Sequence, residues 1–306
     1  MTLRWAIDHY MADMIAEGRI NSPTTERTYR AALMCHAEDV SNRDPRCTNR
    51  EDVKRTLGRW KHPNTRSQSH AILRAFYDWA MEEGHRSDNP ARQVRKAKRR
   101  QPTRYRLTSD ETVRVLEAAR GTRERRCISL GICAGLRRGE LAGMQGRHFR
   151  RPGLVWVSAD IGKGRKERWI PVIETLEPVW LEIAQSVADN EYVVPPQHFN
   201  DPGRNHVAVD DATKPPCPQV IWRIVRDAGR RAALPAEIAP HTLRHAFCDH
   251  VARHAGVRVA QIVMGHAGME TTEGYLGKPT VDELLASMQG LRIEAASAGP
   301  KSQRAE

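Results

Sequence analysis

The sequence predicts a mainly α-helical protein of two domains, the first all-helical and the second α+β with one small antiparallel β-hairpin or sheet. Three observations carry that expectation. Apolar residues recur at helical spacing through the first ~95 positions, with no alternating Val/Ile run to suggest a strand. A block of eight Lys or Arg and no acid, Arg92 to Arg106, then interrupts the chain. Beyond it, two apolar runs, Leu154-Val155-Trp156-Val157-Ser158 and Arg168-Trp169-Ile170-Pro171-Val172-Ile173, flank a turn containing Gly162 and Gly164, the pattern of a hairpin. At 306 residues the chain is long enough for two cores.

Each element has a local reason. Ser22 or Thr24 can cap a helix carrying Tyr29, Leu33 and Met34. The stretch Ser67 to Glu83 puts Ile72, Leu73, Phe76, Tyr77, Trp79 and Ala80 largely on one face. Pro102 argues against one continuous helix through the basic block, which reads as an extended linker. Thr108-Ser109-Asp110-Glu111 offers a cap with acids in the first turn of a helix bearing Val113, Val115, Leu116 and Ala119. A further helix is expected over Cys127 to Met144. Residues Pro195 to Pro218, rich in Pro, Asp, Asn and Gly, read as a surface loop, and helix resumes with Val220, Ile221, Ile224, Val225 and Ala228.

Composition narrows the function. A formal charge of +12, with forty Arg against nine Lys, favours a polyanionic partner, because guanidinium forks match phosphate bidentately. A high-GC codon bias also replaces Lys with Arg, so charge by itself is weak support. No run of about 18 apolar residues occurs, so no transmembrane helix is expected; Arg4 and Asp8 interrupt any signal-peptide core, and cytoplasmic residence is the default. The six cysteines make neither a CxxC pair nor a zinc-spaced array, so reduced, partly buried thiols are expected, Cys248 included.

Four stretches carry chemistry: Ala134-Gly135-Leu136-Arg137-Arg138-Gly139-Glu140-Leu141; Ile161-Gly162-Lys163-Gly164-Arg165-Lys166-Glu167-Arg168; Pro240-His241-Thr242-Leu243-Arg244-His245-Ala246-Phe247; and Met264-Gly265-His266, followed nine residues later by Tyr275. If helical, His241 and Arg244 share a face. With Arg137, and with Lys163 on a tight hairpin turn, they would suit a phosphoryl group gathering negative charge. Tyr275 is a candidate nucleophile, whose phenol, ordinarily near ~10, positive neighbours would lower. Taken singly, each motif has a bland reading: a surface ion pair for Arg137, an exposed turn lysine for Lys163, a chance HxxR. Their order and spacing together weigh against that.

Together the four stretches resemble the signature of the tyrosine recombinases, or phage-integrase family. The resemblance puts the first catalytic arginine at Arg137, the hairpin lysine at Lys163 with Lys166 as near alternative, the HxxR box at His241 and Arg244, the last histidine at His266 and the nucleophile at Tyr275. It makes Glu140 and His245 supporting residues. It covers nearly the whole chain: residues 1–97 as a helical core-type DNA-binding domain, 98–106 as a basic linker, and 107–306 as the catalytic domain with its C-terminal helix and tail, with Arg95, Lys96, Lys98, Arg99 and Arg100 gripping DNA. Gln145-Gly146-Arg147-His148 departs from the family's usual Trp and Asp after the first box, and the 195–218 loop exceeds a minimal member's; neither touches a catalytic position.

The resemblance implies site-specific cleavage and rejoining of double-stranded DNA through a 3′-phosphotyrosyl link at specific core sites. It implies no metal and no other cofactor, since guanidinium groups supply the electrostatics and the phosphotyrosyl bond stores the energy. It further implies a nucleoid-associated tetramer on DNA, open to an accessory directionality protein. The core-binding pattern begins almost at once, leaving no room for an arm-binding domain of ~60 residues, so a simple integrase or mobile-element recombinase is expected. A Xer-type dimer resolvase and a type IB topoisomerase-like enzyme are the near alternatives. A catalytically dead regulator is disfavoured by the intact motif residues, and a metal-dependent nuclease by the lack of clustered carboxylates. Finally, Val281, Leu284, Leu285, Met288 and Leu291 form one stripe on a helix after Pro279 and Thr280; the expectation is that it docks in trans on a neighbouring protomer.

Overall fold

The computed structural model describes residues 1–98, 105–162, 164, 166–196, 211–265 and 281–294. It divides the chain into two compact units, Met1–Thr103 and Arg104–Glu306.

The first unit is four helices, α1 (Leu3–Ala16), α2 (Pro23–Asp39), α3 (Arg50–Gly58) and α4 (Pro63–Glu82). Ser22 caps α2 by accepting from the Thr25 amide, with Pro23 in the first turn. Asn49 and Asp52 close a capping box on α3. α4 starts at Pro63, four residues ahead of the expected Ser67, because Pro is tolerated where the amide has no helical partner anyway. Its predicted face does turn inward: Ile72, Leu73, Phe76, Tyr77 and Ala80 pack against Leu3, Ile7, Tyr10 and Leu33. Inside this core runs a polar chain. His36 joins Thr56 (2.7 Å) and the Tyr77 hydroxyl (2.7 Å), which meets Thr48 at 2.8 Å. Burial pushes the His36 imidazole down to about 4, so it sits neutral among hydroxyl partners. At the end of the unit Asn89 donates to the Arg74 carbonyl and accepts from the Ala91 amide, fixing the Asn-Pro-Ala turn. Beyond it Arg95, Lys96 and Lys98 are exposed.

The second unit contains α5 (Ser109–Glu117), α6 (Gly121–Cys133), α7 (Arg138–Gly143), strands β1 (Leu154–Val157) and β2 (Arg168–Pro171), α8 (Glu177–Ser186), α9 (Pro218–Arg231), α10 (Pro240–Met264, broken at Gly256) and α11 (Val281–Met288). Thr108 and Glu111 form the expected capping box. The two strands pair antiparallel, Trp156 opposite Trp169 and Val157 opposite Arg168, and the two indoles stack at 5.8 Å. The core gathers α6, α9 and α10 around the inner face of this hairpin, with Ile128, Leu130, Val155, Ile170, Ile221, Leu243 and Phe247 buried.

Three expectations need correction. The single helix over Cys127 to Met144 is two. α6 ends and α7 begins around Gly135, whose φ of +59° and whose absent Cβ, which would fall 2.3 Å from Phe247 Cδ1, admit no side chain. The turn bearing Lys163 is not tight: the strands are joined by ten residues, 158–167, folded back so closely that a Cβ on Gly162 would sit 2.2 Å from the Lys166 carbonyl oxygen. The C-terminal stripe packs in cis. Leu284, Met288 and Leu291 are buried in the unit's own core while Val281 and Leu285 are half-buried. The segment after α11 is tied down as Ile293 N donates to Thr175 Oγ1 (2.9 Å) and Arg292 pairs with Glu174.

Candidate active site

The Gly-Leu-Arg-x-x-Glu box works as a corner. Gly135 turns the chain out of α6, Leu136 is fully buried as an anchor, and Arg137 becomes the N-cap of α7. Three residues on, Glu140 reaches back to accept from the Arg137 amide (2.8 Å) and from Arg137 Nη1 (2.8 Å), so one carboxylate both caps the helix and aims the guanidinium. Glu140 is 1% exposed. A buried charge of this kind is sustainable only when paired, and its other partner is Arg168 from β2, which donates to both oxygens at 3.0 and 2.8 Å. Arg244 lies 3.9 Å away. Burial works to raise the Glu140 carboxyl, but Arg168 and Arg137 outweigh it and hold the group down at about 2.

The HxxR box supplies the opposite wall. Pro240 opens α10; Leu243 packs against Gly131 of α6, where a Cβ would lie 2.8 Å from Leu243 Cδ1, and this close approach sinks Arg244 to 4% exposure. Its guanidinium donates to the carbonyls of Gly135 and Met264. Arg137 Nη2 reaches the Met264 and Gly265 carbonyls at 3.4 and 3.3 Å, and Arg168 Nε the Val263 carbonyl at 2.9 Å. The last carbonyls of α10, which have no helical partners and carry the negative end of its dipole, are thus received by three arginines. The chain leaves this clamp at Gly265, and His266 is the next residue.

Three guanidiniums against one carboxylate leave the buried side chains at a net charge of +2. Burial, then Arg137, pushes Arg244 down to about 10, the mark of a cation short of counter-charge. Such a cluster is arranged to receive an anion that carries more than one charge, as a phosphoryl group does in its transition state.

The structure therefore brings together Arg137, Glu140 and Arg244. His241 is exposed in the first turn of α10 and His245 is half-buried beside Arg244. Lys166 is exposed in the strand connection. Lys163, His266, Tyr275, Arg99 and Arg100 lie outside the described residues. Sequence reasoning missed Arg168. Its signal was present: Arg168 and Ile170 share the inward face of β2, and a charge at a core-facing strand position needs a buried partner. Two other phenol or thiol groups of this unit are held in their neutral form. Burial and the hydrogen bond to Glu111 (2.5 Å) push the Tyr105 phenol up to about 12, and burial pushes the Cys248 thiol up. His148, in the departure after the first box, is buried and bonded to Ser158 Oγ (2.9 Å) and to the Gln145 amide (2.9 Å), and the segment is tied to residues 189–191 through the Gly146 and Arg147 amides and the Gln145 side chain. No helix among the described residues is long and apolar enough to cross a membrane.

Comparison with known proteins places this geometry. Residues 105–279 match the model of the phage integrase family. Among curated proteins, tyrosine recombinase XerC of Serratia marcescens is 27% identical over 287 residues, 90% of each chain. Tyrosine recombinase XerD of Ralstonia nicotianae is 30% identical over 261 residues, 81% of each. Among solved structures, a lambda integrase dimer bound to a COC′ core site superposes with a TM-score of 0.70 at 18% identity, covering 92% of this chain and 100% of that one, a likeness of fold.

Proposed function

The chain belongs to the phage integrase family, and from that premise we propose that it is a site-specific DNA recombinase that cleaves and rejoins strands through a 3′-phosphotyrosyl intermediate, with Tyr275 as nucleophile. The observation that carries the reading is the cluster of Arg137, Arg244 and Arg168 on the single buried carboxylate of Glu140. It sits inside the family match, on the elements that lead to His266 and toward Lys163.

The Tyr275 phenolate oxygen attacks a DNA phosphorus in line. As the P–O bond to tyrosine forms, the P–O bond to the 5′-oxygen breaks, and Lys163 delivers the proton that lets the 5′-hydroxyl leave. Arg137 and Arg244 hold the non-bridging oxygens; each has five N–H donors, of which Arg137 uses three and Arg244 two in the contacts above among the described residues. His241 helps deprotonate Tyr275, and His266 hydrogen-bonds the phosphate. Attack by the 5′-hydroxyl of a partner strand reverses the sequence and frees Tyr275. The first unit serves as the core-type DNA-binding domain, and the basic stretch of Arg95, Lys96 and Lys98 with Arg99 and Arg100 grips phosphates. Since a lambda integrase tetramer is known on a Holliday junction, a tetramer on double-stranded DNA is the proposed assembly.

Covalent capture tests the reading. Nicked duplexes from a randomised library should yield a covalent adduct with the full chain, and Tyr275→Phe, one oxygen lighter, should bind the captured duplex unchanged while the adduct vanishes. Adduct at wild-type yield from the Phe variant would refute Tyr275 as nucleophile. A Xer-type role is the second reading, favoured by the names of the curated relatives. The captured sequences discriminate: paired sites within one replicon indicate resolution, and a site at the boundary of a mobile element indicates integration.

A further inference from the structure

One side chain bound into this cluster is a residue to which the reaction assigns no task. Arg168 donates both Nη groups to Glu140 (3.0 and 2.8 Å) and Nε to the Val263 carbonyl (2.9 Å). It stands at the first position of β2, directly after the connection that contains Lys163. One planar group thus joins three parts of the site: the strand leaving the lysine loop, the carboxylate that aims Arg137, and the end of α10 that precedes His266.

We propose that Arg168 is a positioning residue of the recombination reaction, clasping Glu140 and the end of α10 so that the lysine loop, Arg137 and His266 hold one mutual geometry. The inference rests on the recombinase reading above. It follows from the shape of the contacts. A guanidinium fork on a carboxylate fixes angle as well as distance, and a misplacement of about 1 Å in a phosphoryl site costs about a hundredfold in rate. The clasp also has an electrostatic consequence. The charged or titratable groups facing the cluster among the described residues include Arg137 from the head of α7, Arg168 from β2, and, on α10, Arg244, the half-buried His245 next to it and Cys248 one turn beyond. Without Arg168 the buried carboxylate loses its two-point partner and takes up a proton more easily, and a protonated Glu140 no longer orients Arg137 as an ion pair.

The test uses the full chain and duplexes selected by covalent capture on the wild type, and follows single-turnover cleavage against pH. Arg168→Gln should bind the captured duplex within about threefold of wild type but cleave about 10- to 100-fold more slowly, with its acid limb displaced toward neutral pH. The double variant Glu140→Gln, Arg168→Gln has no carboxylate to titrate and should lose that displaced limb while staying slow. A positioning role carried by structure alone would not move the limb. Should Arg168→Gln fail to fold, Arg168→Lys keeps the cation but not the fork and should be slowed by about tenfold or more. Wild-type rate and pH profile in Arg168→Gln, the same acid limb in the double variant, or wild-type rate in Arg168→Lys would overturn the inference while leaving the recombinase reading intact. Failure of the wild-type chain to capture any duplex would overturn both.

Discussion

Glu140→Gln is the substitution whose consequence the structure fixes most closely. The change removes one charge and almost no volume from a side chain that is 1% exposed and receives the Arg137 amide, the Arg137 guanidinium and both Nη groups of Arg168. The Gln amide mimics a protonated carboxyl, so its cost follows from the carboxyl's own titration. Held at about 2 against an ordinary 4.5, the group is displaced by a difference worth about 3 kcal/mol. Removing one partner of a buried ion pair costs about 3–5 kcal/mol by independent experience, which agrees. The sign is that of a depressed acid: the stabilisation is fully present above pH 4.5 and is lost as pH falls toward 2. In a unit of about 200 residues, 3 kcal/mol corresponds to a fall in melting temperature of about 6–12 °C. Scanning calorimetry of the full chain should show the catalytic unit's transition lowered by that amount at pH 7.5, with the gap between wild type and variant narrowing by about 1 kcal/mol at pH 4. A fall of less than about 2 °C at neutral pH, or a gap that does not narrow on acidification, would refute the account of Glu140 as the counter-charge of the cluster.

Lys163→Ala should cleave an oxygen substrate poorly yet cleave a bridging 5′-phosphorothiolate well, since a thiolate leaves without a proton; equal impairment on both refutes the general-acid role, and rescue of Lys166→Ala instead moves the role there. Replacing Arg95, Lys96, Lys98, Arg99 and Arg100 with Ser should weaken binding to all sequences and flatten the slope of log affinity against log salt by about one unit per lost phosphate contact; an unchanged slope makes the block a solvated hinge. The first unit should lose about 3 kcal/mol on acidification, because burial holds His36 at about 4 against 6.5 in the unfolded chain, so protons favour unfolding progressively below pH 6.5. His36→Gln should flatten that acid dependence in calorimetry, and an unaltered one would clear His36 of responsibility.

The family was legible in the sequence because its chemistry sits on short contiguous motifs, each with a local structural cause. The Gly-Leu-Arg-x-x-Glu box, the Gly-Lys-Gly turn and the His-x-x-Arg box are each a few residues long, and His241 and Arg244 share a helical face through an i to i+3 relation that a one-dimensional reading can see. The all-helical first unit was legible as a periodicity of 3.6, and the antiparallel hairpin as two apolar runs around a glycine-containing turn. What the tertiary structure alone decided are contacts between residues far apart in the chain. Arg168 meets Glu140 across 28 positions and Val263 across 95, so a motif position without a task became the clasp of the site. The break at Gly135 was hidden by apolar residues that continue the helical pattern on both sides; the left-handed backbone and the close approach of Phe247 exclude a side chain there. The C-terminal stripe announced that it must be buried but not where, since periodicity records which face is apolar and carries nothing about the surface that receives it; packing of Leu284, Met288 and Leu291 into the unit's own core decided that. Local propensity is written along the chain, whereas the pairing of a buried charge with its counter-charge depends on which distant segments the fold brings within 3 Å of each other, and that only the folded structure holds.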